Sequence, residues 1–147
     1  MKQIMFIFLI IGICLSSCTR KSISSNDEIK QIIIEKYKNV RSSLKGGDPN
    51  YVINMHTQDA VQFLQNGKEL VGIVELRAFY ERIATMGIDI KSVPTTIELL
   101  TNDVAFEVKT FTSTSKTGML NSAKYIIIWK KINNEWKIYK AIDQAKL

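Results

Sequence analysis

Thiols, imidazoles and prolines are scarce in this 147-residue chain, which has two cysteines, one histidine and two prolines. Both cysteines, Cys14 and Cys18, lie at the end of an N-terminal apolar run, so a disulfide or zinc framework spread through a fold is not available. One histidine with scattered carboxylates gives no converging set of metal ligands, and no metal or other cofactor is expected. The longest apolar run, Ile4 to Leu15, is twelve residues, short of the roughly 20 that span a bilayer as a helix. The basic residues give a net charge of +6 but form no stripe interleaved with aromatics, so a nucleic-acid footprint is not expected. With 46% apolar residues and few prolines, the composition suits one globular domain with a short appendage.

The appendage is the N-terminus. Lys2, the apolar run to Leu15 and the small residues Ser16 and Ser17 have the layout of a secretory signal. Leu15-Ser16-Ser17-Cys18 resembles the bacterial lipobox, in which an aliphatic and two small residues precede a cysteine that is acylated and becomes the first mature residue. That resemblance implies a lipoprotein signal peptide over 1–17 and lipid on Cys18, and it leaves no thiol for redox, zinc or nucleophilic chemistry. It also implies residence in the bacterial cell envelope, held to a membrane by lipid on the periplasmic or surface side. Residues 18–26 read as a flexible tether, in which the eight mostly polar residues behind Cys18, Thr19 to Asn26, reach roughly 15 Å. Arg20 and Lys21 are placed to meet anionic head groups.

The domain, 27–147, begins with a helix. Ser25 and Glu28 have capping-box spacing, and Ile29, Ile33, Tyr37, Val40 and Leu44 recur on one helical face until Gly46-Gly47. Asp48-Pro49 starts a short second helix running to about His56. Asp59 to Gln65, the Asn66-Gly67 hairpin signal and Glu69-Leu70-Val71 form a strand, a turn and a return strand. Leu76, Phe79, Tyr80, Ile83 and Met86 share the face of a third helix that Gly87 caps. Four strands follow over 88–100, 104–114, 120–132 and 135–143, with a bulge at Val93-Pro94.

Three helices ahead of a long antiparallel meander predict an α+β fold, the helices lying on one face of a curved sheet. In Tyr125-Ile126-Ile127-Ile128-Trp129 both parities are apolar, so both faces of that strand want cover. The helices supply one cover; for the other, a homodimer packed sheet to sheet is expected, with a private second core as the alternative.

The order Met55-His56-Thr57-Gln58-Asp59-Ala60-Val61, Gln65-Asn66-Gly67, Gly72 with Leu76-Arg77-Ala78-Phe79-Tyr80, and Tyr125 to Lys131 with Glu135 to Tyr139 resembles SnoaL-like members of the nuclear transport factor two-like superfamily. Ketosteroid isomerase, scytalone dehydratase and polyketide cyclases share that superfamily. The resemblance implies a cone-shaped roll of three helices and a strongly bent sheet around one pocket, in a scaffold that hosts enzymes, binders and association domains alike. In the isomerases a carboxylate about five residues beyond an Asp-Ala step is the general base, and a tyrosine of the first helix donates to the oxyanion. Tyr37 matches the tyrosine, but Phe63 and Leu64 occupy the base position and cannot take a proton. Other departures are Ala141 and Asp143 in place of a closing Asp and Trp, and Lys109 where a glycine is usual two residues after Ala105-Phe106-Glu107.

His56, three residues before Asp59, could form an imidazole and carboxylate pair competent as acid and base near neutral pH. Against this stands a packing role for His56 at a helix-to-strand corner. If Phe106 and Val108 face the helices, period two turns Glu107 away from the pocket. Asp143, sharing parity with Tyr139, falls at an open rim. The pocket candidates are Tyr37, His56, Asp59, Phe63, Tyr80, Tyr125 and Trp129. Three functions fit: a membrane-tethered domain for binding a small amphipathic molecule or for association; an isomerase, dehydratase or hydrolase of a hydrophobic substrate using His56, Asp59 and Tyr37; or a protein-partner module using the outer sheet face.

Overall fold

The computed structural model describes residues 25–144, so the expected signal peptide, the lipid site Cys18 and the tether up to residue 24 lie outside the described residues. The first helix, α1, runs Asn26–Lys45, and the Ser25 side chain accepts from Glu28 N as its cap. Its buried residues are Ile29, Ile33, Tyr37, Val40 and Leu44, the face that the spacing defines. The Asn26 carboxamide also accepts from Leu99 N at 2.7 Å, which ties the expected end of the tether into the fold.

Helix α2 is a single turn, Asn50–Asn54, and ends before His56, which instead opens strand β1, His56–Phe63. Strand β2, Glu69–Val71, returns through Asn66-Gly67, where Gly67 takes a φ of 80° that a side chain would resist. Helix α3, Gly72–Thr85, buries Leu76 and Ala84 and half-buries Phe79, Tyr80 and Ile83. Met86, expected on that face, is 46% exposed because it is the C-cap, beyond the last helical turn. Strands β3, Asp89–Leu99, β4, Val104–Thr114, β5, Leu120–Ile132, and β6, Glu135–Gln144, complete the chain. The β5–β6 turn places both Asn133 and Asn134 at positive φ, a conformation asparagine tolerates and two-residue hairpins require.

The six strands form one sheet in the order β2-β1-β6-β5-β4-β3. β3 to β6 make the antiparallel meander, whereas β1 lies parallel to β6, so the sheet is mixed where the sequence pattern suggested antiparallel pairing throughout. The β1–β2 hairpin precedes the meander in the chain and joins its last strand through β1. Register shifts bend the sheet at three places: in β3 between Pro94 and Thr96, between β5 and β6 at Ile128 and Trp129, and in β1 between His56 and Val61. The main core lies between the buried face of α1 and Ala105, Ile127, Trp129, Trp136, Ile138 and Ala141 of the sheet. A smaller cluster of Ala60, Leu70 and Leu76 seals the hairpin end under α3.

Candidate ligand cavity

Inward parity on β4 falls on Ala105, Glu107 and Lys109, while Phe106 and Val108 are half-buried on the other face. The condition under which Glu107 would turn away from the interior, Phe106 and Val108 facing the helices, is therefore not met. Small Ala105 sits in register with bulky Trp129, and this alternation of small and large side chains lets α1 close over the strand. The parity then carries two ionisable side chains into the interior.

Glu107 is wholly buried. Its Oε2 accepts from Tyr37 Oη and Trp129 Nε1, each at 2.7 Å, and its Oε1 has no partner among the described residues. Burial raises the Glu107 carboxyl above its ordinary range, against the nearby Lys109 charge and the two hydrogen bonds. Trp129, a pocket candidate, is thereby fixed in the core and does not line the cavity.

Beside this cluster is a cavity of about 250 Å³, with α1, α2 and α3 on one side and the sheet on the other. Its wall is mostly apolar, with Leu44, Met55, Phe79, Ile83, Ile88 and Phe111 among its members. Of the seven candidates, Tyr37, His56, Tyr80 and Tyr125 line it, and Asp59, Phe63 and Trp129 do not. Period two on β1 accounts for Phe63: the inward position is Gln62, whose Oε1 accepts from Tyr80 Oη at 3.2 Å. Leu64 packs instead on the small hairpin cluster.

His56 and Asp59 do not meet. Because α2 ends early, both lie on β1, where the strand is irregular between His56 and Val61 and leaves His56 buried and Asp59 exposed. His56 is buried with Nδ1 2.8 Å from Val52 O, which makes Nδ1 the protonated nitrogen of the neutral ring. Burial depresses its pKa to about 4, with the backbone hydrogen bond opposing and the Lys109 charge adding to the shift. Asp59 is exposed and accepts from Thr57 Oγ1 at 2.8 Å, the bond that chiefly holds its carboxyl below its usual value. The acid–base pair and the triad with Tyr37 are therefore not assembled, and the Tyr37 hydroxyl is spent on Glu107.

Sequence reasoning missed Lys109, Gln62, Ser92 and Ser113, which all line the cavity. It set Asp143 at an open rim in parity with Tyr139. The skipped residue at Tyr139 alters that alternation: Ile138 and Ala141 are buried, Ile142 is 43% exposed and Asp143 lines the cavity. There Asp143 accepts from Tyr125 Oη at 2.9 Å and Gln65 Nε2 at 2.8 Å. Burial holds the phenols of Tyr37, Tyr80 and Tyr125 above their ordinary value, reinforced by Glu107 at Tyr37 and Asp143 at the other two. All three remain neutral at pH 7. Among the described residues no group of three His, Cys, Asp or Glu side chains is placed to hold a metal ion, and no helix is long and apolar enough to cross a membrane.

No protein-family model and no curated protein matches the chain. Solved structures do match. An NTF-2 like protein of unknown function from Shewanella oneidensis is 18% identical, with a TM-score of 0.71 over 80% of this chain and 99% of its own. A domain of unknown function with a cystatin-like fold from Nostoc punctiforme is 12% identical, with a TM-score of 0.73 over 84% of this chain and 80% of its own. A ketosteroid isomerase-like protein from Erwinia carotovora is 20% identical, with a TM-score of 0.62 over 80% of this chain and 96% of its own. At these identities the likeness is one of fold. The chain has the nuclear transport factor two-like fold, a cone-shaped α+β roll with a pocket between its helices and its bent sheet.

Proposed function

We propose that this protein is a membrane-tethered binding domain of the bacterial envelope that holds a small, largely apolar molecule in its cavity. One observation carries the binding reading: a cavity of about 250 Å³ with an apolar wall into which a few polar side chains, His56, Gln62, Ser92 and Lys109, converge. Such a wall with sparse polar groups suits an amphipathic ligand. Catalysis has less support, since His56 lacks Asp59 as a partner and Gln62, Phe63 and Leu64 supply no base near the isomerase position. The tether rests on the lipobox resemblance at Cys18. Native mass spectrometry of the protein purified from the organism that makes it tests the binding reading. A retained mass beyond the acylated chain is expected, and a bare protein that takes up no apolar compound would contradict it.

The same reading includes a homodimer through the outer sheet face. Phe106, Val108, Ile126 and Ile128 are half-buried there and Ile142 is exposed. One cross-strand row runs Glu98, Phe106, Ile128, Lys140, with an acid at one end and a base at the other. Two copies related by a two-fold axis can lay that row antiparallel, apolar centre on apolar centre and Glu98 toward Lys140. If another protein covers this face instead, the chain alone is a monomer.

A further inference from the structure

Lys109 identifies what kind of amphipathic molecule the cavity takes. Its side chain is only 9% exposed, and its Nζ lies 4.3 Å from the centre of the Tyr37 ring and 5.4 Å from that of Tyr125. Two aromatic faces attract the charge but leave its N–H donors without conventional acceptors. Among the described residues the ammonium has neither a hydrogen-bond acceptor nor a carboxylate within ion-pair distance.

Most polar groups around Lys109 are already committed. Glu107, two residues away on β4, gives Oε2 to Tyr37 and Trp129, and its unpartnered Oε1 lies beyond ion-pair distance of Nζ. Asp143 of β6 is held by Tyr125 of β5 and by Gln65. Tyr80 of α3 donates to Gln62, and His56 of β1 is neutral with Nδ1 bonded to Val52 O. A buried cation is costly unless paired, and Lys109 opens onto the cavity, so what fills the cavity, water or a ligand, supplies the acceptor. Burial pulls the Lys109 pKa down to about 8, against the pull of Glu107, which leaves the amine mostly charged at pH 7.

We propose that the cavity binds a small monocarboxylic acid with an apolar or aromatic body, its carboxylate accepting from Lys109 Nζ. This rests on the binding reading above and narrows it to a ligand class. The single cation can pair one negative charge, and Asp143 and Glu107 nearby disfavour a phosphate dianion. An apolar cavity of about 150 Å³ admits benzene, so 250 Å³ has room for one ring and a short acid chain. The aromatic and aliphatic wall takes the body while the ammonium takes the head.

Calorimetry on the full-length protein with 3-phenylpropanoate, its primary amide and the matching alcohol tests the assignment. The acid should bind at least about tenfold more tightly than either neutral analogue, the range of a charge-assisted bond in a desolvated site. Lys109→Met should reduce the acid to the level of the amide, and the wild-type preference should fade between pH 7 and pH 10 as the amine loses its proton. Equal binding of acid and amide by the wild-type protein, or a preference that survives Lys109→Met, would overturn the proposal and leave the binding reading standing. If none of the three compounds binds, the ligand class is wrong; if native mass spectrometry also finds the cavity empty, the binding reading falls with it. The acid and amide comparison needs no variant, so it holds even if Lys109→Met fails to fold.

Discussion

Glu107 and Lys109 sit two residues apart on one strand, face the same way and are both buried, yet the fold treats them differently. The glutamate is wired into the core by Tyr37 and Trp129 and is absent from the cavity wall. The lysine is on that wall with two aromatic rings for company. Among the described residues, burial alone therefore does not distinguish a structural charge from a functional one; the distinction lies in whether the protein supplies the partner. Tyr37 links the two, its hydroxyl fixed by Glu107 and its ring facing the Lys109 ammonium.

That contrast breaks first at Glu107. Glu107→Leu leaves the Tyr37 hydroxyl and Trp129 indole N–H buried without an acceptor, and should cost about 4 kcal/mol in chemical denaturation. Glu107→Gln keeps an acceptor for both donors and should cost about 1 kcal/mol. If the leucine variant is as stable as the glutamine one, the core role assigned to this carboxylate is wrong.

The next effect comes from His56. Its pKa of about 4 in the folded chain lies below the ordinary 6.5, so the unfolded chain binds the extra proton first as pH falls. Stability should drop by about 3 kcal/mol between pH 7 and pH 4 through this group. His56→Gln should lack that component, seen as the difference between the two unfolding profiles.

Lys109 should behave in the opposite sense to Glu107. Lys109→Met replaces an unpaired buried charge by an apolar chain of similar length and should stabilise the ligand-free protein by about 2 kcal/mol at pH 7. The lysine's penalty is fully present below pH 8 and is relieved toward pH 10.5, because the unfolded chain holds its proton longer. The advantage of the variant should therefore shrink over that window. Asp59→Asn lies off the cavity on an exposed surface and should change stability by less than about 0.5 kcal/mol and ligand uptake not at all.

The elements were legible in the sequence because their signals are local. The buried stripe of α1 is the set Ile29, Ile33, Tyr37, Val40 and Leu44, and the Asn133-Asn134 turn and the bulge beside Pro94 fall where residue chemistry puts them. The interior of the cavity was harder to read because it depends on which parity of a strand turns inward. On β4 the more apolar pair, Phe106 and Val108, faces out, and the choice is made non-locally by Ala105 against Trp129 under α1. On β6 one skipped residue beside Trp129 turns Asp143 into the cavity and Ile142 out of it. His56 and Asp59 read as a pair only while the helix was taken to reach His56; with two fewer helical residues both lie on β1, His56 buried and Asp59 exposed.

The most direct test of the contrast is a nuclear magnetic resonance titration of the Lys109 side-chain carbon next to its amine in the ligand-free protein. A midpoint near pH 8 that moves upward on adding 3-phenylpropanoate is the result predicted for a desolvated ammonium awaiting an acid. A midpoint near the ordinary lysine value of about 10.4, unmoved by the acid, would mean that Lys109 is solvated or already paired, and would contradict the account.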